Sequence, residues 1–264
     1  MASSQSNIKR TKIPEPNQDL ISNLPSHLAE KILKRLPLSM AAKTSVLSRK
    51  WRRYWLSIRH LVFDYTFWEE HKISGHYDYQ NISNIISNIL LHHNGPIHEF
   101  YLYVPQHPQL INLNLSQWLS FLSRAGIRRL SLTNFVGFGG APKTILPSCI
   151  FACSELVKLK LHCYELNYTP PSDCMGFAHL RTLKLLLVKF KHGGLFTSLI
   201  SSCPRLTTLS LEYCTGFSDL KFEHASILES LTIQGSFVPL DFKNASYLKR
   251  VSLSFSRMEY TSHR

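Results

Sequence analysis

"LTTLSLE", Leu206–Glu212, decides how this chain folds. Its residues obey one rule: apolar, two variable, apolar, one variable, apolar. Leu209 and Leu211 are two apart, so on an extended backbone both side chains point to the same face. Leu206 sits in the turn that leads into that strand. One such strand cannot bury its apolar face alone, so it needs neighbours with the same pattern. The sequence supplies them as "IHEFYLY" from Ile97, "IRRLSLT" from Ile127, "LVKLKLH" from Leu156, "LRTLKLL" from Leu180, "LESLTIQ" from Leu228 and "LKRVSLS" from Leu248.

Successive copies start 30, 29, 24, 26, 22 and 20 residues apart. Leucine-rich repeats have periods of roughly 20–29 residues. The expected fold is α/β, a curved parallel sheet built by stacking, with helices or turns on its outer side. "SQWLSFLSRAG", Ser116–Gly126, and "LFTSLISSCP", Leu195–Pro204, carry apolar residues at helical spacing and end in Gly or Pro, so short helices are expected there. The later, shorter repeats leave room only for turns or 3₁₀ pieces. Cys153 and Cys203 stand three residues before a template leucine, where Ala225 and Ala245 stand in the next two copies. That slot is expected to hold a small buried residue, and a thiol serves as one. Cys214 falls in the turn after a strand.

The 264 residues are 44% hydrophobic and 18% charged, which describes a chain with a core and not a disordered polyelectrolyte. Thirty Lys and Arg against 17 Asp and Glu give a formal charge of +13, which favours acidic partners and raises nucleic acid as a question. The start, "MASSQSNIKRTKIPEPNQ", is polar and reads as a disordered tail over residues 1–18. With no signal-peptide pattern and no long apolar run, the expectation is an intracellular protein of the nucleus or cytoplasm with reduced thiols and no membrane association. No C-x-x-C pair, Gly-rich phosphate loop, G-x-S-x-G elbow or H-E-x-x-H occurs, and "VGFGGAP", Val136–Pro142, departs from G-x-G-x-x-G. His92 and His93 would project about 100° apart on a helix and converge poorly on one ion. No catalytic residue, metal or cofactor is assigned.

"DLISNLPSHLAEKILKRLPLSMAAKTSVLSRKWRRYWLSIRHLVFD", Asp19–Asp64, precedes the repeats. Pro25 fits a first helical turn, and Ser26–Leu36 is expected to be helical with Leu28, Ile32, Leu33 and Leu36 on one face. Pro37 ends that helix. A second is expected from near Ser39 to Ile58. On its wheel Trp51, Tyr54, Trp55 and Ile58 share a stripe, while Arg49, Lys50, Arg52, Arg53 and Arg59 take the remainder. A single-strand binder presents aromatics beside its cations, so this segregation argues against nucleic acid. A helix-turn-helix reader also packs one face and charges the other, but Pro37 and the lack of a third helix weaken that alternative.

The segments "LPSHLAEKILKRLP", "AAKTSVLSRKWRRYW" and "LVFD" resemble an F-box, specifically the plant type followed by leucine-rich repeats. Met40, where the family often carries a charge, and the order Arg49-Lys50 depart from the usual pattern without disturbing the apolar one. "ISNILLHHNGPIHEFYLYV", Ile86–Val104, is similar to the family's linker into its repeats. The resemblance implies a small helical F-box at 19–64, a helical linker at 65–96 and repeats at 97–264. It also implies a non-catalytic substrate receptor of a cullin-based ubiquitin ligase, whose F-box binds a Skp-type adaptor and whose repeats capture a target protein. Carried over by position, adaptor contact falls to Leu24, Pro25, Leu28, Ile32, Leu33, Leu36, Pro37, Val46 and Leu47. The residues alone do not separate contact from helical core at these nine positions. Trp51 and Trp55 read as core or as docking to the repeats.

The alternative to a ligase subunit is a basic repeat scaffold that binds protein or nucleic acid without one. Candidate target-binding residues are the basic variable positions Arg128, Arg129, Lys158, Lys160, Arg181, Lys184 and Arg205, with Lys249 and Arg250 beyond them. They form either a ridge for an acidic target or a solvated sheet edge. Only "SRMEYTSHR" follows the seventh strand. Repeat arrays need a cap, so the reading expects a shortened chain with a frayed last repeat.

Overall fold

The computed structural model describes residues 21, 23–106, 113–135, 143–170, 176–217, 219–222, 225–236, 239–242 and 245–255. The N-terminal tail, the glycine-bearing segment Val136–Pro142, Cys174 and the residues after Phe255 lie outside that set.

The template strands assemble as expected. Strands β1 (His60–Phe63), β2 (Glu99–Val104), β3 (Arg129–Asn134), β4 (Lys158–His162), β5 (Thr182–Leu186), β6 (Thr208–Glu212), β7 (Ser230–Gly235) and β8 (Arg250–Phe255) form one sheet in chain order. Every pairing within it is parallel. Register puts Leu61, Phe100, Leu130, Leu159, Leu183, Leu209 and Leu231 in one row, with none more than 1% exposed. A second row runs from Phe63 through Leu102, Leu132, Leu161, Leu185 and Leu211 to Ile233. Each such side chain removed from water contributes about 1.5–3 kcal/mol, so these two rows are the main attraction between copies.

A backbone relay repeats with them. The carbonyl that follows the first apolar position accepts two N–H groups from the next copy: Arg59 from His98 and Glu99, then His98 from Arg128 and Arg129. The same pattern continues through Arg128, Val157, Arg181, Thr207 and Glu229. Its first member exposes a copy of the template that the sequence reading passed over. Ile58, Leu61 and Phe63 obey the rule and are buried, and they lie inside the segment that resembles an F-box. The solenoid therefore begins within that segment.

On the apolar side, α5 (Tyr79–His92) buries Ile82, Ile86 and Leu90, and α6 (Leu115–Arg124) buries Leu115, Trp118, Leu119 and Leu122. Helix α7 (Gly194–Ser201) adds Leu195, Phe196, Leu199 and Ile200. In the last repeats the described residues form turns and a short pair of strands, Leu220–Lys221 beside Leu240–Asp241. The slot three residues before the template apolar residue holds Cys153, Cys203 and Ala225 buried, and Ala245 half-buried. Its carbonyl accepts the N–H of the template residue in each case. The expectation of a small residue needs correction: Phe177 fills the slot before Leu180 with the same hydrogen bond, and packs 5.4 Å from Phe151.

The N-terminal helices differ from expectation. Helix α1 (Ser26–Leu33) ends before Leu36 in a turn, and Pro37 then starts α2 (Leu38–Lys43). The expected second helix is broken: a 3₁₀ turn, Thr44–Val46, follows α2, and α3 (Arg49–Leu56) starts afresh. The break is at Ser48, whose backbone is extended and whose Oγ accepts the Trp51 N–H at 3.3 Å. Serine competes for backbone donors outside helices, so it caps a new helix better than it continues an old one. Ser48→Ala is expected to cost about 1 kcal/mol in chemical denaturation. A change under a few tenths would show the cap to be idle. The core is continuous from Ala29 and Leu33 through Trp51 to Ile233.

Candidate functional site

Helix α1 sorts the nine residues carried over as adaptor contacts. Ala29 and Leu33, four apart, face inward and are 0% and 3% exposed. Leu28 and Ile32, also four apart but one step round the wheel, face solvent. Leu33 thus belongs to the core, not to an outer face. Leu24 and Leu36 are half-buried against the core, and Pro25 and Pro37 are exposed. The helix break turns Val46 and Leu47 outward, to 81% and 53% exposure, with Met40 exposed on α2. Leu28, Ile32, Met40, Val46 and Leu47 concentrate exposed apolar side chains on one small helical unit.

Helix α3 holds that unit together. Trp51 is buried, and its Nε1 donates to the Ile21 carbonyl at 3.0 Å. Lys50 Nζ and Tyr54 Oη donate to the Leu24 carbonyl at 3.0 and 3.3 Å. Three side chains of "RKWRRYW" therefore fasten the turn that leads into α1, and Lys50 is spent on that task. Trp55 is half-buried and lines a cavity of about 390 Å³ with Leu61, Ile85, Ile89 and His93, where α3 meets β1 and α5. His93 Nε2 lies 2.7 Å from the Ile58 carbonyl in the same joint. Arg49, Arg52 and Arg53 are exposed on the opposite side of α3.

The open face of the sheet carries the basic residues, but not as one ridge. Arg129 and Lys158 share the row that starts at His60 and Glu99. Lys160 and Lys184 are directly paired in the next row, after Tyr101 and Ser131. Arg128 and Arg181 stand one residue ahead of their strands, and Arg205 lies in the turn before Leu206. Four cations are thus brought together and three are not. Arg129 reaches Glu99 at 2.9 Å, and Lys249 reaches Glu229 at 3.2 Å. Lys158, Lys160 and Lys184 have no carboxylate partner among the described residues. Partial burial, then the neighbouring Lys158 and Lys184, hold the Lys160 ammonium below the ordinary lysine range. A depression of about 150 Å³ opens here, lined by Glu99, Tyr101, Arg129, Ser131, Lys158 and Lys160 among others.

The thiols are placed for packing. Burial pushes Cys153 and Cys203 up to about 12, so neither is a nucleophile at neutral pH. Among the described residues no three His, Cys, Asp or Glu side chains converge as a metal site, and no helix is long and apolar enough to cross a membrane.

Comparison with known families agrees with this geometry. The F-box domain matches residues 21–63, and the family described as "FBD-associated F-box protein At5g56370, LRR repeats" matches residues 115–264. The F-box/FBD/LRR-repeat protein At1g13570 of Arabidopsis thaliana is 37% identical over 242 residues, covering 89% of this chain and 54% of that protein. The chain belongs to the F-box proteins with leucine-rich repeats. A second Arabidopsis thaliana relative, FBD-associated F-box protein At5g38590, is 28% identical over 91% of this chain and 56% of its own length. The chain spans about half the length of these relatives. Within this F-box/leucine-rich-repeat protein, the matched F-box ends on Phe63, the last residue of β1, so the F-box contributes the first strand of the repeat sheet.

Proposed function

We propose that the chain is the recognition subunit of a Skp–cullin–F-box ubiquitin ligase. Residues 19–64 act as the F-box, 65–96 as a linker and 97–264 as repeats that capture a target protein. It works inside the cell, in the nucleus or cytoplasm. It performs no bond chemistry itself; it raises the effective concentration of a target lysine near the conjugating enzyme. The observation that carries this reading is the apolar set Leu28, Ile32, Val46 and Leu47, left in solvent on the matched F-box helices. The shared sheet supports it further, because β1 ties the F-box to the repeats and holds a captured target at a fixed position relative to the adaptor.

Because Leu33 is core, its substitution would report on folding. Val46→Asp with Leu47→Asp changes exposed side chains only. The pair is expected to reduce recovery of the Skp-type adaptor and cullin from plant extract by about a hundredfold or more, since a hydrophobic anchor is worth roughly 2 kcal/mol or more. Its melting temperature should stay near that of the native chain. Failure of the native chain to recover an adaptor would leave the basic repeat scaffold as the better reading.

A further inference from the structure

The three lysines with no carboxylate partner among the described residues are set at the regular spacings of the sheet. Lys158 and Lys160 alternate on β4 and point to the same face, roughly 6.6 Å apart by strand geometry, and Lys184 adjoins Lys160 on β5 at roughly 4.8 Å. Short hydroxyl residues surround them: Ser131, Thr182, Thr208 and Ser210. Acids bound the patch on both sides. Glu99 on β2 is engaged by Arg129, and Glu212 on β6 accepts the Ser210 hydroxyl at 2.7 Å. An anionic ligand is therefore drawn to β4 and β5, where the lysines have no carboxylate partner among the described residues.

We propose that Lys158, Lys160 and Lys184, flanked by Arg129, form a docking surface for an extended segment of the captured protein with carboxylates at alternate residues. This rests on the reading that the repeats capture a protein. The spacing carries it. An extended peptide presents side chains i and i+2 on one face at the same roughly 6.6 Å period as Lys158 and Lys160. A single phosphoryl group would want donors converging on one point, often with free backbone N–H groups, whereas the N–H groups of β4 and β5 are committed to the sheet ladder. Nucleobases would want open aromatic faces. Among the described residues Tyr101 is the only partly exposed aromatic lining the lysine depression, too few for a run of bases. Tyr103 in the row beyond is packed edge-on against Tyr65 at 5.8 Å and tilted against Phe135 at 5.4 Å.

Fluorescence anisotropy on the full chain tests this with four labelled probes. They are a peptide with glutamate at alternate positions, the same peptide with glutamine, an isomer with its glutamates adjacent, and a single-stranded oligonucleotide. The alternating peptide is expected to bind at least about tenfold more tightly than the other three, and Lys160→Glu with Lys184→Glu should remove that preference. Lys191→Glu, outside the eight-stranded sheet, should leave it intact. Equal binding of the glutamine peptide or of the isomer, no loss in the double variant, or tighter oligonucleotide binding through the same lysines would overturn the proposal. The lysine variants should still recover the adaptor, so failure of this surface is distinguishable from failure of the ligase reading.

Discussion

Gly216→Ala is expected to destabilise the repeat region by about 2–5 kcal/mol, summing a left-handed backbone cost of about 1–2 and an overpacking cost of about 1–3. Gly216 sits at φ +93°, and a Cβ there would lie 1.8 Å from the Phe190 carbonyl oxygen. That oxygen is backbone, so no rotamer change relieves the clash. The surrounding chain is pinned as well: Phe190 N–H donates to Thr215 at 2.8 Å, and Thr215 N–H donates to Val188 at 3.0 Å. Phe190, Phe196 and Phe217 pack together beside the crossing, so a backbone shift would open an aromatic cluster. Gly126→Ala is the control. Its φ is +74°, yet nothing lies within 4 Å of the added Cβ, so only the backbone cost of about 1–2 kcal/mol applies. The melting temperature should fall by about 4–20 °C for Gly216→Ala and by a few degrees for Gly126→Ala. Equal shifts would mean that the close approach to Phe190 contributes nothing.

The same contrast shows why some features are legible in the sequence and others are not. The sheet was legible because its rule depends on spacing within one strand, and burial enforces it independently in every copy. The copy at Ile58 obeys the rule equally well. It was missed because α4 (Tyr65–Glu70), a short hairpin and α5 separate it from Ile97, which breaks the period, and because the F-box pattern already claimed those residues. The break at Ser48 was invisible to a helical wheel, which counts angle and takes continuity for granted. A serine two residues before "KW" was the available signal. On α1, the wheel gave the apolar stripe but not its inner edge. Ala29 decides that edge, because a small residue allows close packing while adding nothing to an apolar count. The basic residues illustrate a limit of another kind. Which variable positions become neighbours depends on register between strands about 25 residues apart, and that is fixed only by stacking the buried leucines.

Trp51→Ala is expected to cost about 3–5 kcal/mol and to loosen the entry to α1. The indole is 3% exposed at the centre of the N-terminal unit, and its Nε1 fixes the Ile21 carbonyl. Tyr54, which holds Leu24, packs edge-on against it at 6.1 Å, so truncation should also weaken the Tyr54 and Lys50 hydrogen bonds. Trp51→Phe keeps most of the burial and loses the N–H donor, so about 1–2 kcal/mol is expected. Denaturant titration gives the energies, and limited proteolysis reports whether the chain near Leu24 becomes cleavable. Native-like stability and protection in Trp51→Ala would show that α3 does not organise the unit. Paired with Val46→Asp and Leu47→Asp, this variant separates two ways of losing an adaptor. The exposed pair should abolish capture in a folded protein, and the buried tryptophan should abolish it by releasing the scaffold that presents them. The five basic residues of "KTSVLSRKWRRYW" give it the look of a surface for an anion. The indole hidden beneath those charges is the residue on which the segment's structure depends.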